Sequence, residues 1–138
     1  MDNSLRIITW NSNGLLQRLR ELQVFLHTNH IDIALISETH FTNQNFVHIH
    51  GYRAYWTTHP SGNARGGTAI FVKQSIAHYQ KEEIREDFFQ ATIITITYNG
   101  SNVNIGAAYC PPRHKIEKRQ YIEIFKKNQS TIYTCWRL

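Results

Sequence analysis

The sequence predicts a mixed α/β layered sandwich. Three observations carry that expectation. A strand–helix–strand pattern occupies the first 37 residues. A series of short β-branched and aromatic runs follows, punctuated by Gly and Asn. A basic amphipathic helix then follows Pro111-Pro112. One helix, many strands and a second helix suit packed sheets with helices on their faces.

Leu5 to Trp10 is a short apolar run with polar flanks, the pattern of a buried strand. Asn11-Ser12-Asn13-Gly14 is a turn cluster. Leu15, Leu19, Leu22 and Leu26 then recur at helical spacing, and the helix ends near Thr28-Asn29. Ile31 to Ser37 is a second buried strand, which completes an α/β unit. After Phe41 the strand candidates are Phe46–Ile49, Tyr52–Thr57, Thr68–Lys73, Phe88–Tyr98 and Val103–Tyr109. Asn99-Gly100 between the last two is a hairpin signal. Ile116 to Lys127 reads as a helix with Ile116, Tyr121, Ile124 and Phe125 on its apolar side. The stretch from Asn128 onward has no clear pattern.

The 138 residues fit one small domain. Apolar residues make up 41% and charged residues 18%, too few charges for a disordered polyelectrolyte. Apolar runs such as Ile33–Ile36 fall far short of the about 20 residues of a membrane span. The first ten residues carry no apolar core of a signal peptide. Cys110 and Cys135 are the only cysteines, which makes neither a disulfide framework nor a zinc cluster. An intracellular location, nuclear or cytoplasmic, is the expectation.

The net charge is +5, and the last 28 residues, with 7 basic and 2 acidic side chains, supply as much by themselves. A phosphate-rich partner suits that charge, and so does an ordinary solvated face.

Three polar groups stand at the C-terminal ends of the predicted buried strands. They are Asn11 with Asn13, then Glu38, then Tyr109. Loops at such ends often gather sites. Glu38 is a hard oxygen ligand suited to Mg²⁺. Asn11 suits a phosphate oxygen, and a Tyr hydroxyl can donate to one as charge builds. Together they suit metal-assisted phosphodiester hydrolysis. Each also has a plainer role: Asn11 as a helix cap, Glu38 as a solvated loop residue, Tyr109 as a strand tyrosine.

Four segments occur in order: Ile7-Ile8-Thr9-Trp10-Asn11-Ser12-Asn13-Gly14, Asp32 through Ser37-Glu38-Thr39-His40, Gly66-Gly67-Thr68-Ala69-Ile70, and Ala108-Tyr109-Cys110-Pro111-Pro112. This series resembles the N-terminal part of the endonuclease/exonuclease/phosphatase superfamily. Within it, the nearest likeness is to the apurinic-endonuclease-like domain of jockey-type non-LTR (LINE-type) retrotransposon polyproteins. The resemblance covers about residues 5–125 and implies a partial four-layer α/β/β/α sandwich of the deoxyribonuclease I-like type. It assigns residues 1–127 to the N-terminal part of that domain and 128–138 to a divergent tail.

The resemblance also implies an activity. Such domains cleave phosphodiesters with Mg²⁺, and Mn²⁺ is an alternative metal. In the retrotransposon branch they nick target DNA for a fused downstream reverse transcriptase. Glu38 matches the metal-binding Glu, and Asn13 falls where some relatives place a metal-proximal Asp. Asn11 and Tyr109 match the residues at the phosphate. Arg65 and Arg113 are candidate DNA contacts. Gly66 and Gly67 suit a bulge or close packing rather than a phosphate cradle.

The family's Gly-Asp-x-Asn and Ser-Asp-His motifs do not occur in this sequence. Losing members of a concerted site removes several powers of ten in rate, roughly 4 kcal/mol or more. The expectation is therefore a truncated copy, weakly active or inactive. Its second sheet is expected to expose the apolar face of 88–98. The alternative is a non-catalytic nucleic-acid-binding remnant, using the basic residues with Tyr52, Tyr55 and Trp56 as contacts. A zinc site at His48 and His50, alternating on a strand near His40, is a further reading. It lacks third and fourth ligands at zinc spacing.

Overall fold

The structure is a computed structural model and describes residues 4–112, 116–127 and 131–136. Two sheets lie face to face. The first has the order β1-β2-β4-β3, built from β1 (Ile7–Asn11), β2 (Ile33–Ser37), β3 (Tyr52–Thr57) and β4 (Thr68–Lys73). The second runs β5-β7-β8-β9, with β6 also paired to β7. Its strands are β5 (His78–Gln80), β6 (Ile84–Glu86), β7 (Phe89–Tyr98), β8 (Ser101–Tyr109) and β9 (Thr131–Trp136).

Alternation along the strands builds three cores. Ile33, Leu35, Ile70 and Val72 of the first sheet meet Ile94, Ile96, Ile105 and Ala107 of the second. The opposite face of the first sheet carries Ala34, Ile36, Ala69 and Phe71. Leu22 and Leu26 of α1 (Leu19–Thr28) cover it. Phe89, Ala91, Ile93 and Ala108 form the outer face of the second sheet, covered by Ile124 of α2 (Lys118–Lys127). The order helix, sheet, sheet, helix is the expected four-layer sandwich. Each fully buried Ile contributes roughly 1.5–3 kcal/mol, so these cores outweigh any single polar contact.

β3 and β4 have the boundaries read from the sequence. The β7–β8 hairpin turns at Asn99 (φ 51°) and Gly100 (φ 76°), the left-handed pair of a type I′ turn. α1 is preceded by a 3₁₀ turn at Leu16–Arg18.

Four expectations are corrected. Phe46–Ile49 is not a strand but part of an irregular loop. Val47 and Ile49 plug the outer core, while exposed Phe46 rests edge-on against Trp56. His48 and His50 are exposed on that loop, and no metal-capable group of three gathers among the described residues. The stretch without pattern holds β9, paired parallel to β8 from Thr131 to Trp136. Finally, Phe89–Ile96 exposes no apolar face, because the first sheet covers one side and Ile124 packs on the other.

Candidate functional site

The register of the first sheet places a polar row at one end of the inter-sheet core. Asn11 is opposite Ser37, Ser37 opposite Thr68, and Thr68 opposite Thr57. Below them on the same face lie Leu35 and Ile70 of the apolar core. From the second sheet come Gln90 and its register partner Tyr109, with Thr92 one step along the same face. The two layers are joined by hydroxyls: Thr92 Oγ1 lies 2.9 Å from both Thr57 Oγ1 and Thr68 Oγ1. Ser37 Oγ is buried and has no hydrogen-bond partner among the described residues.

Two loops leave this end and are laced together. The amide of Ser12 donates to Ser37 O at 3.0 Å, that of Gly14 to Glu38 O at 2.8 Å, and that of Leu15 to Thr39 O at 3.0 Å. The fully buried Ser12 hydroxyl donates to Glu38 O at 3.0 Å. On the other side Thr39 N donates to Gly67 O and His40 N to Gly66 O. Held from both sides, Glu38 and His40 adopt left-handed backbone, φ 52° and 56°. Such a conformation costs about 1–3 kcal/mol for a residue other than Gly and persists only where neighbours enforce it.

Gly66 and Gly67 allow this close approach. A Cβ on Gly66 would stand 2.6 Å from Gln90 Oε1, and one on Gly67 the same distance from Thr39 Oγ1. Gln90 is fully buried; its Oε1 accepts from Gly67 N at 3.3 Å and its Nε2 donates to Glu86 O at 2.6 Å. It braces the glycine turn on which the Tyr109 ring lies.

Of the residues read from the sequence, Glu38 and Tyr109 are close enough to interact. Burial, then the Glu38 carboxylate as a hydrogen-bond acceptor and as a charge, push the phenol well above its ordinary 10.0, and the Arg65 cation partly offsets them. Tyr109 is therefore a neutral donor at physiological pH. Asn11 belongs to the same end, and its Oδ1 accepts from Asn13 N at 3.2 Å. Its Nδ2 carries the amide's two N–H donors. Asn13 is exposed on the loop laced to Glu38. Arg65 is exposed and lines a cleft with Tyr109. Arg113 lies outside the described residues.

The aromatic contacts of the binding-only reading are corrected. Tyr52 is buried and its hydroxyl donates to Ile31 O. Tyr55 packs between the sheets and bonds His78. Trp56 packs against the outer core. Lys73 pairs with Asp32 at 3.2 Å.

The donor set suits a hard cation. The Glu38 carboxylate, and the amide of Asn13 on the loop whose Gly14 N–H bonds Glu38 O, are hard oxygen donors by type. Mg²⁺ accepts so few protein ligands when water and phosphate oxygens complete its shell.

A profile of the endonuclease/exonuclease/phosphatase family matches residues 8–132. The chain belongs to that family. A relative in Drosophila melanogaster, a probable RNA-directed DNA polymerase from transposon X-element, is 35% identical over 127 residues. The match takes in 91% of this chain and 14% of that protein. The RNA-directed DNA polymerase from mobile element jockey of Drosophila funebris is 31% identical over 122 residues, 88% of this chain and 13% of that protein. The chain thus spans a small fraction of these relatives' length.

Among solved structures, the endonuclease domain of TRAS1, a telomere-specific non-LTR retrotransposon, aligns with a TM-score of 0.70 at 16% identity. It covers 96% of this chain and 58% of that one. The Xenopus laevis APE2 catalytic domain aligns at 0.64 and 20% identity, over 94% and 57%. These likenesses establish the fold that the four motifs led us to expect.

Sequence reasoning singled out Asn11, Asn13, Glu38 and Tyr109, which the fold brings to one end of the two sheets. It missed Ser12, Gln90 and the threonine bridge. A Gln within the run Phe89-Gln90-Ala91-Thr92 alternates inward, but only tertiary structure shows that it reaches the glycine turn.

Proposed function

We propose that the chain is the N-terminal part of a Mg²⁺-dependent DNA endonuclease domain that nicks target DNA for retrotransposon insertion. The observation that carries this reading is the Glu38–Tyr109 pair, joining the ends of two sheets in a member of this family. Glu38 would hold the cation, with Asn13 contributing from the adjoining loop. When bound, Mg²⁺ would lower the pKa of water and offset phosphate charge.

Asn11 orients the phosphate through its amide donors. Tyr109, kept neutral by burial and by Glu38, turns its one O–H from Glu38 to a phosphate oxygen as negative charge accumulates there. It cannot serve as a base while protonated. The residues of this chain thus position and polarise the phosphodiester. The Gly-Asp-x-Asn and Ser-Asp-His motifs do not occur in these 138 residues, so the activity proposed for them is weak. A fused downstream reverse transcriptase and an intracellular setting, nuclear or cytoplasmic, go with the reading. No helix among the described residues is long and apolar enough to cross a membrane.

Nicking of supercoiled plasmid tests the proposal, with Mg²⁺, with Mn²⁺, with EDTA, and with Glu38→Ala purified alongside. The expected result is slow metal-dependent nicking that the substitution abolishes. Nicking equal to the Glu38→Ala background would sink the catalytic reading. Salt-dependent DNA binding without cleavage would then be the function.

A further inference from the structure

We propose that the cleft between His40, His59, Arg65 and Tyr109 is a subsite for a non-reacting phosphate of the DNA strand. This deepens the reading above and rests on DNA being the substrate class. The cleft holds about 220 Å³, and its remaining walls are Gly66, Pro111 and Pro112. Among the described residues its lining contains two imidazoles, a guanidinium and a phenol, with the Glu38 carboxylate reaching only Tyr109 at its edge. Such a set is complementary to an anion.

Two of the cleft's polar groups, His59 and Tyr109, are buried in its wall, while Arg65 is exposed at its mouth. His59 is only 4% exposed. The Ser61 amide donates to its Nδ1 at 3.1 Å, and the Ser61 hydroxyl lies 2.8 Å from the same atom. An amide N–H can only donate, so the proton of the neutral ring is on Nε2, making that atom a donor. Arg85 fixes the segment by donating to Thr58 O and His59 O, each at 3.2 Å.

His40 is set by its left-handed backbone and by its 2.9 Å bond to Gly66 O. Arg65 precedes the glycine turn, and its charge is felt at the Tyr109 phenol. Tyr109 therefore faces two anionic demands: Glu38 on one side, and on the other a cleft suited to phosphate. A strand lying across Tyr109 would seat a neighbouring phosphate there, fixing its register before any metal acts.

The test is anisotropy of a labelled DNA duplex in EDTA over a salt series, using the full chain. Each phosphate contact contributes about 0.9 to the slope of log K against log salt on duplex DNA. Arg65→Ala is expected to lower the slope by about one contact, while Arg65→Lys keeps it. Inorganic phosphate should shift the ring resonances of His40 and His59 in the parent chain but not in Arg65→Ala. An unchanged slope overturns the subsite. A changed slope without ring shifts overturns it too, because Arg65 would then touch DNA outside the cleft. Neither readout needs cleavage. Loss of nicking with both signals intact would refute the nuclease reading alone.

Discussion

The phenol of Tyr109, the last residue of β8, stands within electrostatic reach of the carboxylate of Glu38, the residue after β2. One comes from each sheet, so the pair brings together the ends of the two central layers. Its electrostatic consequence is a phenol that resists ionisation.

That consequence predicts an alkaline titration. The folded-state pKa of Tyr109 is raised above its ordinary 10.0 by burial and by Glu38. Its stabilising contribution is therefore complete below about pH 10 and is lost as pH rises further. Ultraviolet titration should show Tyr109 ionising late or only on unfolding, along with Tyr52, which burial and Asp32 also raise. Tyr109→Phe should delete one late-titrating group and flatten the fall in stability above pH 10. A phenol that titrates normally in the folded chain contradicts the pairing.

The strained backbone at Glu38 gives a second prediction. Its φ of 52° suits Gly better than any side chain. Glu38→Gly should therefore be about 1 kcal/mol more stable than Glu38→Ala, while both lack metal-dependent nicking. Urea midpoints of the two variants decide it. Equal midpoints would mean that the loop relaxes and stores no strain.

The glycine turn separates steric from conformational cost. Gly67 has φ 84°, and an added Cβ would meet Thr39 Oγ1 at 2.6 Å and Thr57 O at 3.1 Å. Gly100 has φ 76° with nothing near. Gly100→Ala should cost about 1 kcal/mol, and Gly67→Ala roughly 2–4 kcal/mol through strain plus overpacking. Chemical denaturation measures both. A Gly67→Ala cost no larger than that of Gly100→Ala would show that Thr39 can yield.

What the sequence made legible follows from where the determining forces lie. β3 and β4 were readable because β-branched and aromatic runs there end at turn residues. β5 and β6 were not, since His78–Gln80 and Ile84–Glu86 are short and polar and form against β7. Phe46–Ile49 misled because loop residues that plug a core resemble strand residues in composition. Asn11, Glu38 and Tyr109 stood out by sitting at strand ends. Gln90 and His59 did not, since their importance comes from contacts with Gly67, 23 residues from Gln90, and with the cleft.

Two serines beneath the site should respond oppositely to losing their hydroxyls. Ser12 is fully buried and its Oγ donates to Glu38 O at 3.0 Å and lies 3.3 Å from Ser37 O. Ser12→Ala leaves those carbonyls with less than they had, at a cost of about 1–3 kcal/mol. The buried Ser37 Oγ has no partner among the described residues, so Ser37→Ala removes a polar atom that gains nothing and should be neutral or slightly stabilising. Thermal unfolding of both variants checks the contrast. A Ser37→Ala loss as large as that of Ser12→Ala would mean that an ordered water or a further segment of chain satisfies the Ser37 hydroxyl in solution. The polar row from Asn11 to Thr57 would then be hydrated or covered at its centre.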